Sequence, residues 1–152
     1  MPDFATSHIG LIHYDEPEVI EFPEGLPGLE DQTRFLPLEH ASTRPLAYVQ
    51  SLTRPDLCFL TLPVLGIDPG YSLKMSPENL RTLGLPEERQ PAIGSEVLCL
   101  AIICLTENQP PTANLRAPLV VRIDTRRGVQ AIRDDETYSH RHVLLAPEPV
   151  SA

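Results

Sequence analysis

The chain has 152 residues, of which 41% are hydrophobic and 22% charged, and its formal net charge is −9. This composition is typical of a globular domain and not of a disordered or membrane chain. The longest apolar run, residues 97–105, is far shorter than the roughly 20 residues that cross a bilayer, so we predict no membrane segment. Nucleic-acid affinity depends on basic residues that neutralise phosphates, so the negative charge argues against direct nucleic-acid binding.

Short runs rich in Val, Ile, Leu, Phe and Tyr alternate with Pro, Gly and Asp along the chain. This spacing is typical of an antiparallel sandwich or barrel. The 17 prolines fall mostly between the runs, where strand starts and turns tolerate them. The predicted strands lie near residues 8–13, 18–22, 34–39, 46–51, 57–62, 97–105, 118–124 and 129–133.

One helix is predicted between the fifth and sixth of these strands. Ser76 can cap it, Pro77 suits its first position, Leu80 and Leu83 share one face, and Gly84 can end it. The breakers that follow Gly84 predict a loop up to the next strand. The helix is short, so we expect it to lie on the surface of the sheet.

The strand at 118–124 shows the clearest alternation. One face carries Leu119, Val121 and Ile123, and the other carries Val120, Arg122 and Asp124, so one side should face a core. We predict an all-β fold: an antiparallel β-barrel-like single domain, residues 1–152, with one short surface helix. Its core spans about residues 8–144, and residues 146–152 are predicted to be a disordered tail.

The sequence contains none of the common short catalytic motifs: no P-loop, G-x-G-x-x-G, G-x-S-x-G or H-E-x-x-H. His140 and His142 could share a face of an extended segment, but a third fixed ligand is not apparent, so we predict no metal site and no cofactor. The three cysteines, Cys58, Cys99 and Cys104, lie in apolar runs and are predicted to be buried thiols. The protein is therefore predicted not to be an enzyme.

The start of the chain, Met1-Pro2-Asp3-Phe4, shows no basic segment followed by an apolar one, so a cytoplasmic protein is expected. The first 40 residues hold nine carboxylates against one arginine, Arg34, which gives a charge of −8 with neutral histidines. This end of the chain favours a basic protein partner. The candidate contact residues are Glu16, Glu18, Glu21, Glu24, Glu30 and Asp31.

A second candidate contact segment, residues 112–118, precedes the best strand. We predict a short, fixed loop on or beside a partner-binding face, with Asn114 as a polar contact, Leu115 as an apolar contact and Arg116 beside them. The alternative is structural: Asn114 can hydrogen-bond local backbone in an Asx-type turn. Both interpretations remain open at the level of the sequence.

Five segments in order resemble the FliW family of flagellar assembly factors. Residues 22–30 (FPEGLPGLE) are similar to its opening F-x-x-G-x-x-G-F-E, and residues 55–59 (PDLCF) to its P-x-L-x-F. Residues 112–120 (TANLRAPLV) are similar to its T-x-N-L-x-A-P-I stretch. Residues 128–130 (GVQ) and 138–142 (YSHRH) match its closing G-x-Q and Y-x-x-R-H. Together they extend over almost the whole chain.

This resemblance implies an antiparallel barrel-like protein that binds flagellin and the RNA-binding translational regulator CsrA. In the family, FliW bound to CsrA keeps that regulator from its messenger RNA, and unsecreted flagellin draws FliW away, so flagellin level controls flagellin translation. The charge distribution is compatible with this role. Two other classes stay open: a small-barrel enzyme, and an adaptor or chaperone of another secretion system.

Overall fold

The computed structural model describes residues 3–7, 9–39, 41–42 and 44–144, and these form ten strands, two short α-helices and one 3-10 helix. The strands are β1 (Asp3–Ala5), β2 (Leu11–His13), β3 (Ile20–Glu21), β4 (Arg34–Glu39), β5 (Ala47–Ser51), β6 (Cys58–Pro63), β7 (Val97–Cys104), β8 (Thr112–Arg122), β9 (Gly128–Gln130) and β10 (His142–Val143). The helices are α1 (Val64–Ile67), α2 (Pro77–Thr82) and the 3-10 helix Glu16–Glu18.

The main sheet is antiparallel and nearly closed. Strands β3 to β8 pair with their neighbours in chain order, while β9 and β10 pair with opposite ends of β8. The Glu21 N–H donates to the Arg126 carbonyl at 2.9 Å, which brings β3 beside the β8–β9 hairpin. Strands β1 and β2 form a separate hairpin. The predicted all-β, barrel-like fold is therefore confirmed.

Three apolar clusters stabilise this sheet. The first fills the barrel, and its members include Phe22, Phe35 and Leu119. The second lies on the outer side of β7 to β9, where the chain between β6 and β7, with α1 and α2, covers it. The third joins the β1–β2 hairpin to β4 through Ile12 and Leu36. Burial of apolar surface on both faces of the sheet is the main stabilising contribution.

Several predicted elements are confirmed with their chemistry. The strand predicted at 34–39 has those bounds in the structure. Helix α2 follows Ser76, whose hydroxyl accepts a hydrogen bond from Asn79 N at 3.1 Å. Gly84 has φ +69° beyond its end, a left-handed conformation that favours glycine.

Other elements differ from the predictions. Helix α1 and the 3-10 helix show that one helix is too few; both are too short to give a periodic signal. The strand predicted at 18–22 is shorter in the structure and spans only Ile20–Glu21, because a 3-10 helix occupies the residues before it. Asp15 N donates to Glu18 Oε1 at 3.1 Å, and this local hydrogen bond favours the 3-10 helix over a longer strand. Strands β1 and β10 were missed, since each has only two or three residues.

Two burial predictions also need correction. Val120 is completely buried in the outer cluster, so β8 has a core on both faces and not on one. Cys99 is buried and Cys58 half-buried, but Cys104 is exposed at the end of β7.

The predicted tail 146–152 lies outside the described residues. Within the described part of the chain, no helix is both long and apolar enough to cross a membrane.

Candidate functional site

The glycine-containing turn after β3 presents two of the candidate carboxylates. Phe22 anchors it, because its ring is completely buried inside the barrel. Gly25 has φ +68°, and an added Cβ would lie 2.5 Å from the Glu30 backbone, so only glycine fits. The turn is closed by two backbone hydrogen bonds between Leu26 and Leu29, of 3.2 and 2.7 Å. Exposed Glu24 and Glu30 are thereby held at fixed positions.

These two carboxylates belong to a groove of about 370 Å³ that we call the acidic groove. Its walls are the turn, the start of α2 and the end of β9, and Glu78 of α2 adds a third carboxylate. None of its lining residues is an arginine or lysine. Glu24, Glu30 and Glu78 form no ion pair with other described residues. Ile132, which is 54% exposed, adds an apolar contact surface beside them.

A second groove, of about 340 Å³, contains Glu16, Glu21 and Asp124 together with two arginines. Arg34 Nη2 donates to Glu16 Oε2 at 2.8 Å. Arg126 Nη2 donates to the Glu18 carbonyl oxygen at 2.7 Å. These cations already neutralise part of the negative charge. We call this the mixed-charge groove, and it is less suited to a basic partner than the acidic groove.

The six N-terminal carboxylates predicted as contacts therefore do not form one surface. Glu24 and Glu30 line the acidic groove, whereas Glu16 and Glu21 line the mixed-charge groove. Glu18 is the last residue of the 3-10 helix that begins at Glu16. Asp31 is exposed but lines neither groove. Sequence reasoning missed Glu78 and Asp124, because only the folded chain brings them to the N-terminal carboxylates. A partner-binding role for all of these residues stays a prediction.

The segment 112–118 is the first half of strand β8 and not a loop. Leu100 pairs with Leu119, and Ile102 with Asn114, so four residues of β8 oppose a single residue of β7. This large bulge explains how Pro118 is tolerated inside a strand. Asn114 Oδ1 accepts hydrogen bonds from the backbone N–H groups of Arg116 and Ala117 at 3.1 and 3.0 Å. Asn114 thus has the local structural role that the sequence left open.

Leu115 and Arg116 also have contacts that stabilise the fold. Leu115 is 1% exposed and belongs to the outer apolar cluster, so the expectation of an exposed apolar contact at this position is wrong. Its carbonyl oxygen accepts a hydrogen bond from the Tyr71 hydroxyl at 2.7 Å. Arg116 is half-buried, and its carbonyl accepts from Arg133 N at 2.9 Å. Binding by Asn114 or Arg116 stays a prediction.

Asn114→Ala is expected to lower the free energy of unfolding by about 1–2 kcal/mol, because two backbone donors in the bulge lose their acceptor. Asn114→Asp keeps an acceptor oxygen at the same place, and we expect it to retain most of the stability. Urea denaturation of both variants measures the difference. Equal stability of Asn114→Ala and the parent would show that the two hydrogen bonds do not hold the bulge.

The segment after β9 contains a buried arginine that lies beside two adjacent aromatic rings, those of Tyr71 and Tyr138, whose centres are 4.3 Å apart. Arg133 is 6% exposed, forms a bidentate pair with Asp135 at 2.8 and 3.1 Å, and lies 4.9 Å from the centre of the Tyr138 ring. The Arg133 guanidinium holds the pKa of Asp135 well below its usual range. Burial raises the pKa of Tyr71, which neighbours this pair, to about 12. Both pKa shifts arise within one structural cluster, which we call the Arg133 clasp and which consists of Arg133, Asp135, Tyr71 and Tyr138.

The two histidines singled out in the sequence, His140 and His142, and the buried thiol of Cys99 line neither the acidic groove nor the mixed-charge groove. His140 is exposed and His142 is half-buried at the start of β10. In the ranges that the structure describes, no group of three or more His, Cys, Asp or Glu side chains could hold a metal ion. Burial raises the pKa of the Cys99 thiol to about 12, which keeps it protonated and unreactive. That the protein needs no metal or cofactor stays a prediction.

Comparisons with known proteins agree with this architecture. A family model described as FliW protein matches residues 3–144. Flagellar assembly factor FliW of Caldanaerobacter subterraneus subsp. tengcongensis is 31% identical over 145 residues, covering 94% of this chain and 93% of that protein. Flagellar assembly factor FliW of a Geobacillus species is also 31% identical, with 97% of each chain covered.

A solved structure gives the same result. The crystal structure of the flagellar assembly factor FliW matches with a TM-score of 0.80 at 26% identity, covering 97% of this chain and 100% of that one. Sequence and fold therefore agree over nearly the full length of both proteins. The chain belongs to the FliW family.

Proposed function

We propose that this protein is a non-enzymatic flagellar assembly factor that binds flagellin and the translational regulator CsrA. In this role it antagonises CsrA and couples the level of flagellin to flagellin translation. Membership of the FliW family supports the assembly role. The acidic groove is the observation that supports binding of a basic regulator.

The chemistry of the acidic groove suits such a regulator. A protein that binds RNA must present basic residues to phosphates. Glu24, Glu30 and Glu78 have no cation among the described residues to neutralise them, so their field is available to an incoming partner. Ile132 supplies apolar surface that can be buried once contact forms. Charge complementarity of this kind acts chiefly on the association rate and on specificity.

Replacing Glu24, Glu30 and Glu78 together by Gln is expected to slow association with CsrA about tenfold at low salt, because electrostatic steering is lost. Raising the salt from 0.05 to 0.5 M should shrink this difference, since the Debye length then falls from about 14 to about 4 Å. Stopped-flow measurement at both salt concentrations, with flagellin affinity measured in parallel, gives the result.

A matched control removes the same charge elsewhere. Glu88, Glu107 and Glu136 are exposed and have no ion pair with other described residues. Their triple replacement by Gln should leave the association rate within about twofold of the parent. If both triple variants slow association equally, net charge and not the acidic groove is responsible. If neither variant slows it, the acidic groove is not the CsrA-binding surface.

A further inference from the structure

One open end of the barrel forms a pocket of about 460 Å³, which we call the barrel mouth. Pro37 of β4, Pro63 of β6 and Leu100 of β7 form part of its wall. In the strand register Pro37 pairs with Val49 and Pro63 with Leu100, and both Val49 and Leu100 belong to the interior cluster. The barrel mouth is therefore continuous with the apolar interior of the barrel.

The wall of the barrel mouth is mainly apolar. Leu65 of α1 is 39% exposed and Leu98 of β7 is 36% exposed, so aliphatic surface is left uncovered there. Pro37 and Pro63 have no backbone N–H to donate. A peptide bound against this wall would bury amide groups without partners, which costs free energy. An alkyl chain has no polar groups and can cover the same wall without that cost.

The lining contains two charged residues, of which one is already paired. Glu39 Oε2 lies 3.3 Å from Arg44 Nε. Arg126 forms no ion pair with other described residues. Its Nη2 donates to the Glu18 carbonyl oxygen at 2.7 Å, its buried Nε has no acceptor, and its Nη1 forms no hydrogen bond with other described residues. The unpaired charge at the barrel mouth is therefore a cation with spare donor capacity.

The carboxylates on the other side of Arg126 do not cancel this charge. Arg126 also lines the mixed-charge groove, which has three carboxylates. Two of them are already paired, namely Glu16 with Arg34 and Asp124 with Arg122. The third, Glu21, forms no ion pair with other described residues, but it does not line the barrel mouth. The unpaired charge in the barrel mouth itself thus favours an anionic group over a cationic one.

We propose that the barrel mouth binds a medium-chain alkyl carboxylate, with its carboxylate on the Arg126 guanidinium and its alkyl chain against Leu65 and Leu98. Guanidinium donors suit a carboxylate, and such charge-assisted hydrogen bonds are stronger than neutral ones. Pockets of about 300–1,000 Å³ with apolar walls and a few polar groups are typical small-molecule sites, and the mouths of β-barrels are common places for them. This inference goes beyond the proposed function and does not depend on it.

The probes are hexanoate, octanoate and decanoate, titrated into the full chain by isothermal titration calorimetry below their micelle-forming concentrations. Lengthening the chain by two CH₂ groups should tighten binding about tenfold, because each buried CH₂ contributes about three- to fourfold. Octanol has the same chain length as octanoate but no charge, and it should bind about tenfold more weakly because it forms no charge-assisted hydrogen bond.

Variants of the lining test the position of the ligand. Leu98→Asp and Leu65→Asp should each weaken octanoate binding at least tenfold, because a second carboxylate would enter the apolar wall. Arg126→Gln should weaken octanoate about tenfold and leave octanol unchanged, so that the two ligands bind equally. Arg126→Lys keeps the charge and should restore most of the octanoate affinity. Melting temperatures of all variants confirm that the measured protein is folded.

Two matched controls lie outside the barrel mouth. Leu11, 60% exposed on the β1–β2 hairpin, is replaced by Asp, and the exposed Arg127 by Gln; both should bind octanoate as the parent does. The proposal is overturned by the absence of saturable decanoate binding, by equal parental affinity for octanoate and octanol, or by equal losses in variants and controls. Tighter binding of acetyl-leucyl-leucine, an apolar anion with two amide groups, would assign the barrel mouth to a protein segment and overturn it too. CsrA and flagellin affinities of the parent are measured separately, so a protein that binds both partners but no alkyl carboxylate refutes the barrel-mouth site alone.

Discussion

Leu115→Ala should lower the free energy of unfolding by about 3–4 kcal/mol, within the range of 2–5 kcal/mol seen for buried leucines. The side chain is 1% exposed in the outer cluster, beneath the segment that carries Tyr71, whose hydroxyl bonds to the Leu115 carbonyl. Truncation leaves a cavity that the paired strands around it cannot fill by moving. Urea denaturation of parent and variant measures the loss.

Leu11→Ala provides the control, because this leucine is 60% exposed and its truncation should cost less than about 0.5 kcal/mol. The folded fraction of Leu115→Ala should bind flagellin and CsrA with the affinity of the parent. A destabilisation below 1 kcal/mol, or a partner affinity reduced tenfold in a variant of normal stability, would contradict the assignment of Leu115 to the core.

The sequence predicts the barrel-like fold because short apolar runs bounded by prolines and glycines indicate its strands. The strand at 34–39 and helix α2 illustrate this, since each is specified by residues within or next to it. Ser76 acts through the backbone three residues away, and Gly84 acts through its own φ. Such local chemistry can be read without knowledge of the tertiary structure.

The bulge in β8 could not be predicted from such local sequence chemistry. Pro118 looks like a strand boundary, and in an ordinary ladder it would be one. Here Asn114 accepts from two backbone N–H groups inside the strand, and the carbonyls of Arg116 and Pro118 accept from the backbone N–H groups of Arg133 and Ala131. The extra residues therefore find partners more than ten positions away. Leu115 points into the core only because of this arrangement.

The candidate surfaces show the same limit. Charge counting along the sequence found the acidic N-terminal third, but it joined carboxylates that the fold separates into two grooves. Glu78 and Asp124 enter these grooves from segments about 50 and 100 positions away. Arg126 partly neutralises the mixed-charge groove. Electrostatic character is thus a property of the folded surface.

Arg133→Met is expected to destabilise the protein by about 2–4 kcal/mol, because it removes the guanidinium interactions of the Arg133 clasp while keeping the apolar volume of the side chain. The variant loses the bidentate pair with Asp135, the hydrogen bond from Nη1 to the Ser72 carbonyl and the contact with the Tyr138 ring. These bonds tie the chain after β9 to the segment before α2. Arg127→Met, at an exposed arginine without an ion pair to other described residues, should change stability by less than about 0.5 kcal/mol.

The pH dependence of stability can distinguish the ion pair of the Arg133 clasp from simple packing. The Arg133 guanidinium lowers the pKa of Asp135, so this carboxylate stabilises the fold fully above its usual pKa of about 4. The contribution is lost as the pH falls through the depressed value of the folded state. The stability difference between the parent and Arg133→Met should therefore narrow as the pH is lowered from about 5 to about 2. A difference that stays constant over this range would mean that Arg133 acts through packing against Tyr138 and not through its pair with Asp135.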